Sequence, residues 1–117
     1  MGNKTPKVTD AKTALSVIKD GDTVVIGHAT AEPQHLTAAL AELNGKIKNI
    51  RTTHMVDMGE SFYCKPEAQG SFRHCSLFAG GGSRKAIAEG RADFIPVHFS
   101  KIPELFWGKF IEPDVAL

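Results

Sequence analysis

The sequence predicts an α/β fold: an open, mostly parallel sheet with helices on both faces, forming one domain over residues 1–117. Three observations predict it. Short β-branched runs alternate with segments of helical periodicity. The first of these runs, "TVVIGH", is too apolar to leave a wet face, as a strand buried between two layers demands. Glycines follow the helical segments at Gly21, Gly45 and Gly90, where a left-handed residue closes a helix.

The elements follow in order. "TDAKTALSVIKDGD" places Ala11, Ala14, Leu15 and Ile18 on one helical face, with Thr9 or Asp10 as cap. After the strand "TVVIGH" comes a second helix, with Pro33 in its first turn and Leu36, Ala39, Leu40 and Leu43 on its inner side. "NIRTTHM" reads as the second strand and "HCSLFAG" as the third. "SRKAIAEG" is a short helix capped by Ser83. "DFIPV" is a fourth strand that Pro96 confines to an edge or an end. "SKIPELFWGKF" is a helix broken by Pro103 and Gly108, and "DVAL" a fifth strand. The least regular stretch, "VDMGESFYCKPEAQGSFR", is as long as a binding loop.

Composition narrows the function. A net charge of +1 with interspersed signs gives no footprint for nucleic acid. The apolar runs are too short for a membrane span, and "MGNKTPKVTD" lacks the apolar stretch of a secretory signal, so a cytoplasmic setting is expected. A myristoylation pattern at Gly2 fails because Pro6 stands where Ser or Thr is needed. Cys64 and Cys75 read as thiols, and the histidines lack the short spacing of metal ligands.

In an open parallel sheet ligands bind beyond the carboxyl ends of the strands, and the unusual residues fall there: "GHATAEP", "HMVDMG", "AGGGSR" and "VHFS". The three glycines before Ser83 permit an anion cradle or simply a tight strand-to-helix turn. Glu32 is either an acid–base group or an ordinary partner of a helix start. Gly27, His28, Glu32, Pro33, Met55, Gly80, Gly81 and Gly82 are the candidate substrate-binding positions.

The blocks "ALSVIKDGDTVVIGHATAEPQHL", "HMVDMGE", "SLFAGGGSRKAIAEGRADFIPVHFSKIPEL" and "EPDVAL", in this order, resemble the N-terminal domain of the acetyl-CoA hydrolase/transferase family. The type is that of 4-hydroxybutyrate and butyryl-CoA:acetate CoA-transferases. The resemblance implies a CoA-transferase-like sheet in Rossmann-like layers. It also implies transfer of CoA between short-chain acyl-CoA and small carboxylic acids through a glutamyl-CoA intermediate. CoA is then a substrate, and no further cofactor is expected. Such families carry the nucleophilic Glu in a second half. Glu32, Glu60, Glu67, Glu89, Glu104 and Glu112 do not sit in its motif, so no catalytic residue is assigned here. The chain therefore reads as C-terminally truncated. It is expected to be inactive alone and to self-associate or pair with a C-terminal half, because Val115 and Leu117 open a strand. If exposed, each forfeits about 1.5–3 kcal/mol of burial. A non-catalytic module with the same fold, an acetyl-CoA hydrolase part, and a phosphate-binding fold using "GGGSR" are the alternatives.

Overall fold

The computed structural model describes residues 4–117; Gly2, at which the myristoylation pattern fails, lies outside the described residues. Five parallel strands form one sheet: β1 (Thr23–Val25), β2 (Ile50–His54), β3 (Phe72–Ser76), β4 (Asp93–Phe94) and β5 (Val115–Ala116), in the order β4-β3-β2-β1-β5. The helices are α1 (Ala11–Leu15), α2 (Gln34–Ala41), α3 (Arg84–Ala88) and α4 (Ile102–Trp107).

The topology follows from handedness. From β1 to β4 each strand is laid beside its predecessor in one direction, so right-handed crossovers put the connections on one face. The chain then returns past β1 to place β5, and the same hand puts that connection on the opposite face. The core agrees: Leu15 of α1, Leu40 of α2, Tyr63, Ala68 and Ala86 of α3 pack with Val24, Ile50 and Phe72. Register places Val24, Thr52 and His74 in one row of that face and Thr23, Arg51 and Arg73 in a row of the other. The second face receives buried Ile111, whose N–H bonds the Leu105 carbonyl at 3.0 Å and so ties the segment after α4 to that helix.

Local expectations are adjusted in four places. Asp10 caps α1, accepting from Thr13 N–H at 2.9 Å, but the helix ends at Leu15, and Gly21 (φ +86°) closes a later turn. Strand β3 begins at Phe72, not His74, because Phe72 pairs with Ile50 at the start of the ladder. Pro103 does not break a helix; it lies in the first turn of α4, where its missing N–H costs nothing, and Gly108 caps the other end. Ser83 makes no side-chain cap bond; its hydroxyl is turned back into the glycine turn. The irregular connection after β2 contains two 3-10 turns, Phe62–Cys64 and Pro66–Ala68, that bury Tyr63, Cys64 and Ala68. The fourth strand is an edge, as Pro96 requires.

Val115 and Leu117 are not stranded in water. Both are half-buried against the core, and Leu117 is held at both backbone groups: its N–H bonds Val25 O at 2.8 Å and its carbonyl accepts Gly27 N–H at 2.9 Å.

Candidate functional site

The order of strands reverses between β1 and β5, and a parallel sheet offers its crevice at that switch. Gly27 stands there. A Cβ on it would lie 2.6 Å from the Ala31 carbonyl oxygen, so only glycine lets β1 turn into the 3-10 turn Ala29–Ala31. Ala29 itself takes a left-handed φ of +53°. Its N–H bonds the Val56 carbonyl at 2.9 Å, which compensates that conformation and joins the loops after β1 and β2.

Two carboxylates organise the rest. Glu32 is buried, and its Oε2 accepts N–H bonds from Met58 at 2.7 Å and Gly59 at 3.0 Å. A buried carboxylate needs such donors, and charge-assisted bonds of this kind are the strong ones. Gly59 is a glycine for the same reason: a Cβ would stand 2.6 Å from Glu32 Oε1. Asp57 accepts from Ser61 Oγ at 2.8 Å, and Ser61 pays for this position with a left-handed φ of +48°. Two of the three glycines after β3 are fitted around Asp57. A Cβ on Gly80 would come within 2.5 Å of Asp57 Oδ1, and one on Gly82 would overlap both Asp57 Oδ2 and Ser61 Oγ. Gly81 meets nothing within 4 Å.

The glycine turn is therefore a packing device around a carboxylate. Its Gly80 N–H is directed inward, to Phe78 O at 2.8 Å and Ser83 Oγ at 3.2 Å, which removes that donor from an anion cradle. Arg84 reaches back to the Ala79 carbonyl at 3.2 Å.

Beneath these loops lies a polar layer that sequence reasoning missed. His54 Nε2 and Tyr63 Oη share a 2.7 Å hydrogen bond, and Thr52 Oγ1 and His74 Nδ1 a 3.0 Å one. The two imidazoles lie 5.1 Å apart, edge to face, and among the described residues His54 Nδ1 is the buried side-chain polar atom without a partner. Burial holds His54 below the usual histidine range, against the pull of Glu32 and Asp57. It pushes His74 down to about 3, with help from His54. Burial likewise raises the Tyr63 phenol well above its usual value. Both cysteines are buried free thiols. Burial pushes Cys64 up to about 12 and Cys75 upward, so neither suits a thiolate nucleophile. The signal that could have found this layer was the register: Thr52 opposite His74 and His54 opposite Ser76.

The structure thus brings Glu32, the Met58–Gly59 turn, Asp57, Gly80 and Gly82 into one constellation at the carboxyl ends of β1, β2 and β3. Pro33 and Met55 are half-buried beside it, whereas His28 and Gly81 face solvent. Next to it a cleft of about 320 Å³ runs between α2 and residues 59–63, lined by Gln34, Thr37, Ala38, Gly59, Glu60 and Tyr63. Asp57, Gly59 and Ser61 were not among the candidates read from sequence.

The comparisons with known proteins agree with this architecture. The family described as "Acetyl-CoA hydrolase/transferase N-terminal domain" matches residues 3–117. The chain is 40% identical over 111 residues to the 4-hydroxybutyrate coenzyme A transferase of Clostridium kluyveri, covering 95% of this chain and 26% of that protein. It is 38% identical over 120 residues to the succinyl-CoA:acetate/propanoyl-CoA:succinate CoA transferase of Fasciola hepatica, covering 100% of this chain and 25% of the relative. The crystal structure of RipA from Yersinia pestis superposes with a TM-score of 0.79 at 23% identity, over 92% of this chain and 27% of that one, a likeness of fold. The chain spans about a quarter of the length of the curated relatives it matches. With its profile matched from residue 3 to residue 117, this chain belongs to the acetyl-CoA hydrolase/transferase family.

Proposed function

We propose that the chain provides the N-terminal wall of an acyl-CoA:carboxylate CoA-transferase whose nucleophilic Glu lies outside these 117 residues. The observation that carries this reading is the occupation of the two carboxylates at the strand ends. Glu32 is committed to two backbone N–H groups and Asp57 to Ser61 and the glycine turn, so neither is a free attacking group. The names of the relatives, CoA transferases acting on 4-hydroxybutyrate and on succinyl-CoA with acetate, support the substrate class of acyl-CoA and small carboxylic acids.

In the proposed chemistry a Glu carboxylate attacks the thioester carbonyl. The C–S bond breaks, leaving an acyl-glutamyl anhydride and the CoA thiolate. The thiolate then attacks the glutamyl carbonyl, releasing the first acid and forming glutamyl-CoA; the second acid reverses the sequence. A carboxylate suits this role because it is ionised at neutral pH, with a reference pKa of about 4.3, and needs no base. The wall supplied here fixes the loops bearing Gly27, His28, Glu32, Pro33, Met55 and Gly80 to Gly82 along the acyl and pantetheine path. A cytoplasmic setting fits buried Cys64 and Cys75 kept as thiols.

The test is a chimera in which this chain replaces the first quarter of the Clostridium kluyveri relative, assayed for exchange between butyryl-CoA and acetate beside the chain alone. Turnover by the chimera and none by the chain is expected. Gly81→Val in the chimera then probes the path itself, since that position has room for a side chain; lowered turnover with unchanged folding is expected. Turnover by the 117 residues alone overturns the proposal.

A further inference from the structure

Strand β2 ends on a side chain whose hydrogen-bonding capacity is half used. His54 is 4% exposed, and its backbone is fixed in the sheet, where its carbonyl accepts Leu77 N–H at 3.2 Å. Burial holds the imidazole below the usual histidine range, so near neutral pH it carries one ring proton. Tyr63 decides where that proton sits. The phenol is buried and held above its usual value, so its O–H persists and needs an acceptor. It lies 2.7 Å from His54 Nε2. Ser61 is the competing neighbour, but its hydroxyl is already engaged by Asp57 at 2.8 Å. With Tyr63 donating to Nε2, that nitrogen is bare and the proton stands on Nδ1, the buried side-chain atom left without a partner. The Val56 backbone favours a protonated ring, as a carbonyl beside an imidazole N–H does.

We propose that His54 is a positioning residue for the strand-end loops: Tyr63 holds it as the Nδ1–H tautomer, and this N–H steadies the Val56 peptide. That peptide is a junction. Its carbonyl accepts Ala29 N–H at 2.9 Å and so keeps the loop after β1 in place, with Ala29 in its left-handed conformation. The residues just beyond it, Met58 and Gly59, give their N–H groups to Glu32 at 2.7 and 3.0 Å. One ring nitrogen thus connects the rigid end of β2 to both loops that bear the candidate site. Every group in this chain of contacts belongs to the described residues, so the assignment does not depend on what covers the strand ends. Its bearing on turnover rests on the reading that these loops border the acyl-CoA path; the tautomer and the junction do not.

Long-range proton–nitrogen spectra of the isotope-labelled chain separate a proton-bearing ring nitrogen from a bare one and test the tautomer. His54 is expected to show protonated Nδ1 and bare Nε2, with the signal assigned by its loss in His54→Asn. Amide exchange at Ala29 tests the junction, with Ile50 N–H, bonded to Ser71 O at 2.9 Å at the other end of β2, as the reference for the fold. His54→Asn places an amide N–H near the position of Nδ1, whereas His54→Gln places it near Nε2. Tyr63→Phe and His54→Gln are expected to speed Ala29 exchange about tenfold relative to Ile50, and His54→Asn to stay within about threefold of the wild type. A wild-type ring protonated on Nε2 overturns the proposal. Equal Ala29 rates in His54→Asn and His54→Gln also overturn it, since they make the imidazole a core filler. In the chimera, turnover is expected to survive His54→Asn better than His54→Gln. A chimera inactive in every form counts against the function proposed above, while the spectra and exchange rates still decide the role of His54.

Discussion

Ile50 and Arg51 are neighbours in sequence and inhabit different environments. Ile50 points into the helix-covered face, where it has no exposed surface, and Arg51 points out of the other face into solvent. The contrast is sharpest in the first rows of the sheet. Val24, Ile26, Ile50, Thr52, His54, Phe72, His74 and Ser76 are all buried, whereas on the opposite side Arg51 and Arg73 are exposed and Thr23 and Val25 half-exposed, with burial returning farther along at Thr53 and Cys75. More of the apolar packing therefore lies on one side. The other side carries the exposed Arg51 and Arg73 at little cost.

Acid gives the largest test of that contrast. His54 and His74 are held neutral by burial in the dry face, while the unfolded chain protonates both near pH 6.5. Below that value the unfolded state binds more protons, so stability falls as pH is lowered from about 6.5 toward the folded value of about 3 for His74. On the open face Asp93 is held below its usual range by Arg73, and its contribution is lost only as pH drops below about 3.9. Urea midpoints measured from pH 8 to 4 should decline well before carboxylates protonate. A flat profile down to pH 4.5 would break the assignment of stability to the histidine layer.

Substitution of the neighbouring pair is the next test. Ile50→Ala is expected to cost about 2–5 kcal/mol by loss of burial and a cavity, and Arg51→Ala no more than about 0.5 kcal/mol in the monomer. Chemical denaturation at a concentration below association measures both, and equal costs would deny the asymmetry. The smallest effects sharpen the picture at the strand ends. Gly82→Ala forces a methyl group onto Asp57 and Ser61 and is expected to cost about 1–3 kcal/mol. Gly81→Ala, one residue away in open space, should leave the melting curve unmoved.

The parts of this molecule that obey a period were legible in advance. Apolar spacing located α1 and α2, β-branched runs located β1 and β2, and alternation gave the parallel sheet. The connection after β2 was not legible, because Tyr63, Cys64 and Ala68 are buried from 3-10 turns, where neither a period of two nor one of 3.6 applies. The candidate site was half legible. Its location at the strand ends and the glycines of its turn could be read from sequence, yet the partners of Glu32 lie 26 and 27 residues away and carry no side-chain signature. Backbone N–H groups are present at every residue but proline, so only the fold says which of them a carboxylate will find.

The place of β1 between β2 and β5 has a consequence for how the chain assembles. Thr23 N–H is held by Asp114 Oδ2 across 91 residues, so the middle of the sheet is completed by residues that leave the ribosome long after β1 itself. Strands one to four can zip together through sequential crossovers as they emerge; the fifth must wait. Until then the flank of the first strand stays open, and such long-range closure is slow. A nascent chain paused before residue 114 would expose its own centre to whatever strand is nearest.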